Sequence, residues 1–134
     1  MGKETTPIEK SAYEYPQLNE RKLALEEQAA AAIWLQAFGI IAEAVIITKL
    51  LPLEYSEEEN QIVIGVWIQA IGQLLEAIGV TREITSTDAG QIFKAQRTAV
   101  DGDWLQAIGA TLEAAGGERA IARSLRENRL PFIP

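Results

Sequence analysis

The chain has 134 residues, a formal net charge of −7, 48% apolar and 23% charged residues, and neither cysteine nor histidine. These values predict one folded domain with its own core. They exclude disulfides, thiolate nucleophiles, ordinary zinc sites and histidine acid–base chemistry, and they argue against nonspecific nucleic-acid binding.

Residues 1–16 mix Pro7 and Pro16 with charges and show no period, which predicts a flexible N-terminal arm ahead of a helical domain over 17–134. Tyr13 and Tyr15 on that arm are candidates for docking on a neighbour. Residues 1–28 lack the apolar stretch of a signal peptide, so a cytoplasmic location is expected.

A first helix is expected from just after Pro16 to about Leu51, where Pro52 stops it. It carries Trp34-Leu35-Gln36-Ala37-Phe38-Gly39 followed by Glu43-Ala44. Its central turns are apolar nearly all round, which marks it as the central helix of a bundle or as a membrane segment. Ser56 with Glu59 three residues on forms a capping box, and the acidic run Glu57 to Glu59 is read as helix-start chemistry, not as a cation site.

The second helix, from about Glu57 to Gly79 or slightly beyond, repeats the phrase as Trp67-Ile68-Gln69-Ala70-Ile71-Gly72 with Glu76-Ala77. Stepping about 100° per residue puts Gly65, Gly72 and Gly79 on one stripe and Ala70 and Ala77 on another. Trp67, Leu74, Ile64, Ile71, Ile78, Ile68 and Leu75 fill the arc from about 200° to about 300°. Interior glycines cost roughly 0.8–1 kcal/mol each, so three demand compensation from close helix packing. The bulky arc, with its tryptophans as anchors, is expected to form the core.

Thr81 to Thr87 is expected to be a break, with Asp88 or Thr87 capping the third helix. That helix carries Trp104-Leu105-Gln106-Ala107-Ile108-Gly109 with Glu113-Ala114, and again spaces Gly102, Gly109 and Gly116 by seven. Gly116-Gly117 is expected to end or kink it before a short last helix from Glu118 to about Asn128. There Arg119, Arg123 and Arg126 form a basic face suited to an acidic patch such as Glu54 and Glu57 to Glu59. The expected fold is therefore an all-α bundle of three long repeat-bearing helices plus a short C-terminal one.

The Gln36/Glu43, Gln69/Glu76 and Gln106/Glu113 pairs share a narrow polar strip. Such strips face water or hydrogen-bond across an interface to fix register; a shared three-carboxylate site is the chemical alternative. No phosphate loop, dinucleotide fingerprint or nucleophile–base pair is present, so neither enzyme activity, a cofactor nor a small-molecule substrate is expected. Two stretches, Ala29–Thr48 and Ile62–Thr81, are of membrane-spanning length, but each contains a Glu, and the third copy is too polar to insert with them. The expected function is a structural or interaction protein that self-associates as a homo-oligomer through Gly- and Ala-lined faces. A membrane-active or inserted hairpin and an acidic inhibitor or immunity-type partner are the alternatives.

The phrase Trp-Ile-Gln-Ala-Ile-Gly, with a second Ala-Ile-Gly seven residues on, resembles that of a family of small repetitive proteins from Gram-positive spore-forming bacteria. Residues 62–80 fit best; the first copy has Phe38 and Ile46 at variant positions and the third has Ala115. The resemblance implies helical repeats and a bacterial origin, leaves room for a surface or spore-associated assembly, and supplies no catalytic residues.

Overall fold

The computed structural model describes residues 7–53, 55–128, 130 and 132–134, with side chains from Pro16 onward. They form three long helices, α1 (Pro7–Leu50), α2 (Glu57–Thr85) and α3 (Ala89–Glu127), and no strand. The all-α expectation holds, with four differences in detail.

First, α1 starts at Pro7, ten residues earlier than expected, and runs through Pro16. Proline at a first helical position loses nothing, whereas Pro16 forfeits the single bond its amide would have made to the carbonyl of Ala12. The side chains of Tyr13 and Tyr15 and the segment 1–6 lie outside the described residues. Second, α2 runs to Thr85, through most of the break expected over Thr81 to Thr87, and leaves only Ser86 to Asp88 between the helices. Third, Gly116-Gly117 neither ends nor breaks α3, so the short C-terminal helix is its last turns. Both glycines are buried, Gly116 against Ile62 and the Glu58 carbonyl of α2, and this contact offsets their poor propensity. Fourth, α2 and not α1 is central: α2 packs against both neighbours, and among the described residues α1 and α3 make no close backbone approach.

The caps follow local chemistry. Ser56 Oγ accepts from the Glu59 amide at 3.1 Å and Asp88 Oδ2 from the Gln91 amide at 2.9 Å. Asn128 ends α3 in the left-handed conformation, φ 55°.

The α2–α3 contact is antiparallel and made by backbone. A Cβ added to Gly72 would lie 2.6 Å from the carbonyl oxygen of Gly102, and one added to Gly102 would lie 2.5 Å from that of Gly72. Gly65 and Gly109 stand in the same reciprocal relation, at 2.7 and 2.5 Å, and Gly79 faces the Ala95 carbonyl at 2.7 Å. No side chain fits there. Each α-hydrogen instead points at a carbonyl across the interface, a weak but repeated attraction.

The α1–α2 contact uses the other stripe. Ala30, Ala37 and Ala44 of α1 and Ala70 and Ala77 of α2 are buried, and Ile47, Val63 and Val66 complete the main apolar cluster. Val66 is the largest fully buried side chain among the described residues. Of the bulky arc on α2, Ile64, Trp67 and Ile71 are exposed and Ile68, Leu74, Leu75 and Ile78 only half-buried, which overturns the expectation that this arc forms the core.

Gly39 is the exception among the stripe glycines: nothing lies within 4 Å of where its Cβ would be. The pair Gly39 and Gly72 therefore separates packing from propensity. Gly72→Ala should cost about 1–3 kcal/mol through overpacking against backbone. Gly39→Ala should gain about 0.5–1 kcal/mol. Urea unfolding of the two variants beside the parent checks both signs.

Candidate functional site: a layer with two unlike sides

Two sets of hydrogen bonds show how the repeat is used. Trp34 Nε1 donates to Thr81 Oγ1 and Trp67 Nε1 to Thr48 Oγ1, both at 2.9 Å. Thr81 and Thr48 in turn donate to the carbonyls of Ala77 and Ala44, at 2.7 and 2.6 Å. Thr48 and Thr81 hold the same repeat position, fourteen residues after their tryptophans, so α1 and α2 are related by a local dyad. Across the other interface Gln69 Nε2 donates to Glu113 Oε2, and Gln106 Nε2 to Glu76 Oε2 at 2.8 Å. These are again equivalent positions exchanged, which gives α2 and α3 a second local dyad. Glu76 Oε2 also accepts from Gln73, the one buried polar side chain among the described residues, at 2.9 Å.

The Gln/Glu strip therefore meets across the α2–α3 interface in copies two and three. In copy one it does not: Gln36 is exposed and makes no side-chain hydrogen bond among the described residues, because the α1 glycine face has no partner. Glu43 is half-buried and sits near Glu113. Burial, and then the Glu113 charge, push its carboxyl above the ordinary 4.5. No group of carboxylates among the described residues could hold a metal ion.

A dyad relating two antiparallel side-by-side helices stands normal to the layer, so it keeps equivalent arcs on the same side. The three bulky arcs consequently share one side. Leu35 (73% exposed), Phe38 (63%), Ile71 (52%), Trp104 (67%) and Ile108 (50%) stand on it. Trp34 and Trp67 are half-covered by their threonine bonds and by neighbours, whereas Trp104 makes no hydrogen bond among the described residues. None of the tryptophans is a core anchor. At the closest crossings only Gly fits on α2 and α3, while Val63, Val66 and Ile47 fill the α1–α2 contact, and many of the largest side chains of the repeat are left facing outward. The polar strip, with Glu43, Glu76 and Glu113, faces the opposite side.

The remaining sequence features fall at the layer's ends. Arg123 bridges Glu58 at 3.1 Å and Glu127 at 2.9 Å, while Arg119 and Arg126 bond carbonyls of their own helix. Glu58 is held below the ordinary carboxyl range by a backbone hydrogen bond, then by Arg123 and Ser56, against an opposing effect of burial. Glu54 lies outside the described residues. Glu59 completes only half of the capping box: its Oε2 is buried without a partner, in an apolar pocket lined by Ile47, Leu51, Ile62, Val63 and Phe132.

Sequence reasoning missed the threonine fourteen residues after Trp34 and Trp67. Extending the repeat alignment by one turn would have found it.

Because the folded pKa of Glu43 is raised, its contribution to stability is greatest below 4.5 and is lost as pH rises through the raised value. Glu43→Gln should therefore be neutral in acid and modestly stabilising at about pH 7. Unfolding free energies across that range, together with a carbon-detected titration of the Glu43 carboxyl, test this; an ordinary midpoint for Glu43 contradicts it.

Residues 60–125 match the model of a family described as "Family of unknown function (DUF6944)". The match covers most of α2 and α3, the helices joined through glycine, and leaves out α1. Neither a curated protein nor a solved structure matches the chain. By its second and third repeats, the protein is similar to this family of unknown function.

Proposed function

We propose that the protein is a non-enzymatic association module that lies flat on a membrane surface at the cytoplasmic side, its bulky apolar side in the lipid and its carboxylate side in water. One observation carries this reading: Gly and Ala occupy the closest helix–helix contacts while Leu35, Phe38, Ile71, Trp104 and Ile108 of the repeat stand exposed on one side. A fold packed for water buries its large side chains, each worth about 1.5–3 kcal/mol. Helices packed in or against lipid meet through Gly and Ala, because the lipid already accommodates the large ones.

The helices lie in the plane. α1 and α2 are long and apolar enough to cross a bilayer. Yet α2 is joined backbone to backbone with α3, which carries Asp101, Asp103, Glu113, Glu118 and Arg119. A spanning α2 would drag those charges into hydrocarbon at about 2.5–3.5 kcal/mol each on insertion scales. Lying in the interface satisfies all three helices at once. The resemblance to repetitive proteins of spore-forming bacteria suits a role in coating or shaping a surface.

The second reading is a homo-oligomer in which two layers meet apolar side to apolar side, since the same exposed residues are self-complementary under a twofold axis. The Gly and Ala faces are unsuited to this, being largely used within the chain. Vesicle flotation and light scattering separate the readings. The parent chain should float with vesicles, and Ile71→Glu combined with Ile108→Glu should abolish flotation while leaving the helical circular dichroism intact. A chain that stays with the aqueous phase and scatters as a stable dimer supports the second reading instead.

A further inference from the structure

The repeat extends beyond its Trp-to-Ala segment to a cation. Lys49, Arg82 and Arg119 each follow their tryptophan, Trp34, Trp67 and Trp104, by fifteen residues. Fifteen steps of about 100° place each cation about 60° beyond its tryptophan, inside the bulky arc and on the apolar side of the layer. All three are exposed, and none is in an ion pair among the described residues. Since neighbouring helices run antiparallel, the cations alternate between the two ends of the layer, at its rim. Of the acids on this arc, Asp101 is paired with Arg97 at 3.2 Å, Glu57 sits at the first turn of α2, where the helix dipole favours it, and Glu20 and Glu27 lie on the α1 turns ahead of the first repeat. The repeat's own carboxylates, Glu43, Glu76 and Glu113, face the opposite side.

A chain of net charge −7 thus presents a thrice-repeated cation on its apolar side. Long basic side chains rimming an apolar face place their stems along hydrocarbon and their charges at headgroup level. We infer that this side recognises an anionic bilayer surface, with Lys49, Arg82 and Arg119 as the headgroup contacts and Trp34, Trp67 and Trp104 beside them at the interface. The inference rests on the surface-lying reading above and adds the lipid class to it. A second copy is the poorer occupant, because a dyad would bring two sets of like cations to the rims of one apolar contact.

The test is co-sedimentation with vesicles of phosphatidylcholine alone and of phosphatidylcholine mixed with phosphatidylserine, at low and high salt. The parent chain should prefer the mixed vesicles, and salt should erase the preference. Lys49→Gln, Arg82→Gln and Arg119→Gln combined should weaken binding to mixed vesicles on the order of a hundredfold, about fivefold per cation, while leaving residual binding to phosphatidylcholine. Arg21→Gln with Lys22→Gln, which lie off the arc, should keep the preference. If the triple variant keeps it too, or the parent binds both vesicles equally, the lipid class is wrong while the surface reading stands. If the parent binds neither, both fall.

Discussion

Everything in this fold is set by the distance at which α2 and α3 run past each other. With Gly72 and Gly102 each meeting the other's carbonyl, and Gly65 and Gly109 doing the same, the two backbones are in contact and no rotamer choice intervenes. That closeness fixes register, because sliding by one residue would place a Cβ on a carbonyl. It also brings Gln69 to Glu113 and Gln106 to Glu76, bonds that a wider spacing would leave to water. The carboxylates are consequences of the glycines. They orient and specify the pair more than they hold it, since polar bonds of this kind contribute only about 1 kcal/mol net.

The same repeat also explains why the outer faces of α1 and α3 have no helix packed on them among the described residues. Each copy has a glycine face and an alanine face, and only α2 uses both. On α1 the glycine face carries Ala32 and Ile46 where α2 has Gly65 and Gly79. Those side chains forbid a fourth backbone from approaching. On α3 the alanine face, Ala107 and Ala114, remains exposed, but Asp103 replaces Ile33 and Val66, and Glu118 replaces Thr48 and Thr81. A helix docking there would desolvate carboxylates in place of forming the Trp–Thr bond. Both edges are closed by substitutions in an otherwise repeated plan, as terminal repeats are in solenoids.

Helix content, caps at Ser56 and Asp88, and the contact role of six glycines were legible from spacing alone, because heptad glycines have few other uses. Which arc faces inward was not. A hydrophobic period says that one side of a helix differs from the other, and the usual inference sends the larger residues inward. Here two requirements compete: burying Trp67 and Ile71, and letting backbones touch at Gly65 and Gly72. Both stripes are apolar, so hydropathy cannot rank them. The greasiness of α1 misled for the same reason: apolar nearly all round, it read as the central helix, yet Leu35, Phe38 and Ile46 stand exposed. The continuity of α3 through Gly116-Gly117 was hidden too, since a glycine pair signals a stop unless its contact with Ile62 is known.

Placing small residues between helices and large ones on one side turns each amphipathic helix by roughly a third of a turn relative to its place in a water-soluble bundle. The polarity of the molecule then runs through the thickness of a single layer. A three-layer or globular arrangement could cover both sides; one layer cannot, having a single helix diameter of about 10–12 Å. Its apolar side must meet something, and its carboxylate side must not, which is why Glu43 feels both burial and Glu113 while still opening towards solvent. A polarity gradient through one layer, close helix–helix contacts within the plane and closed edges together suit the surface-lying role proposed above. The same three would be a liability in a freely diffusing globule, where the exposed side would drive aggregation.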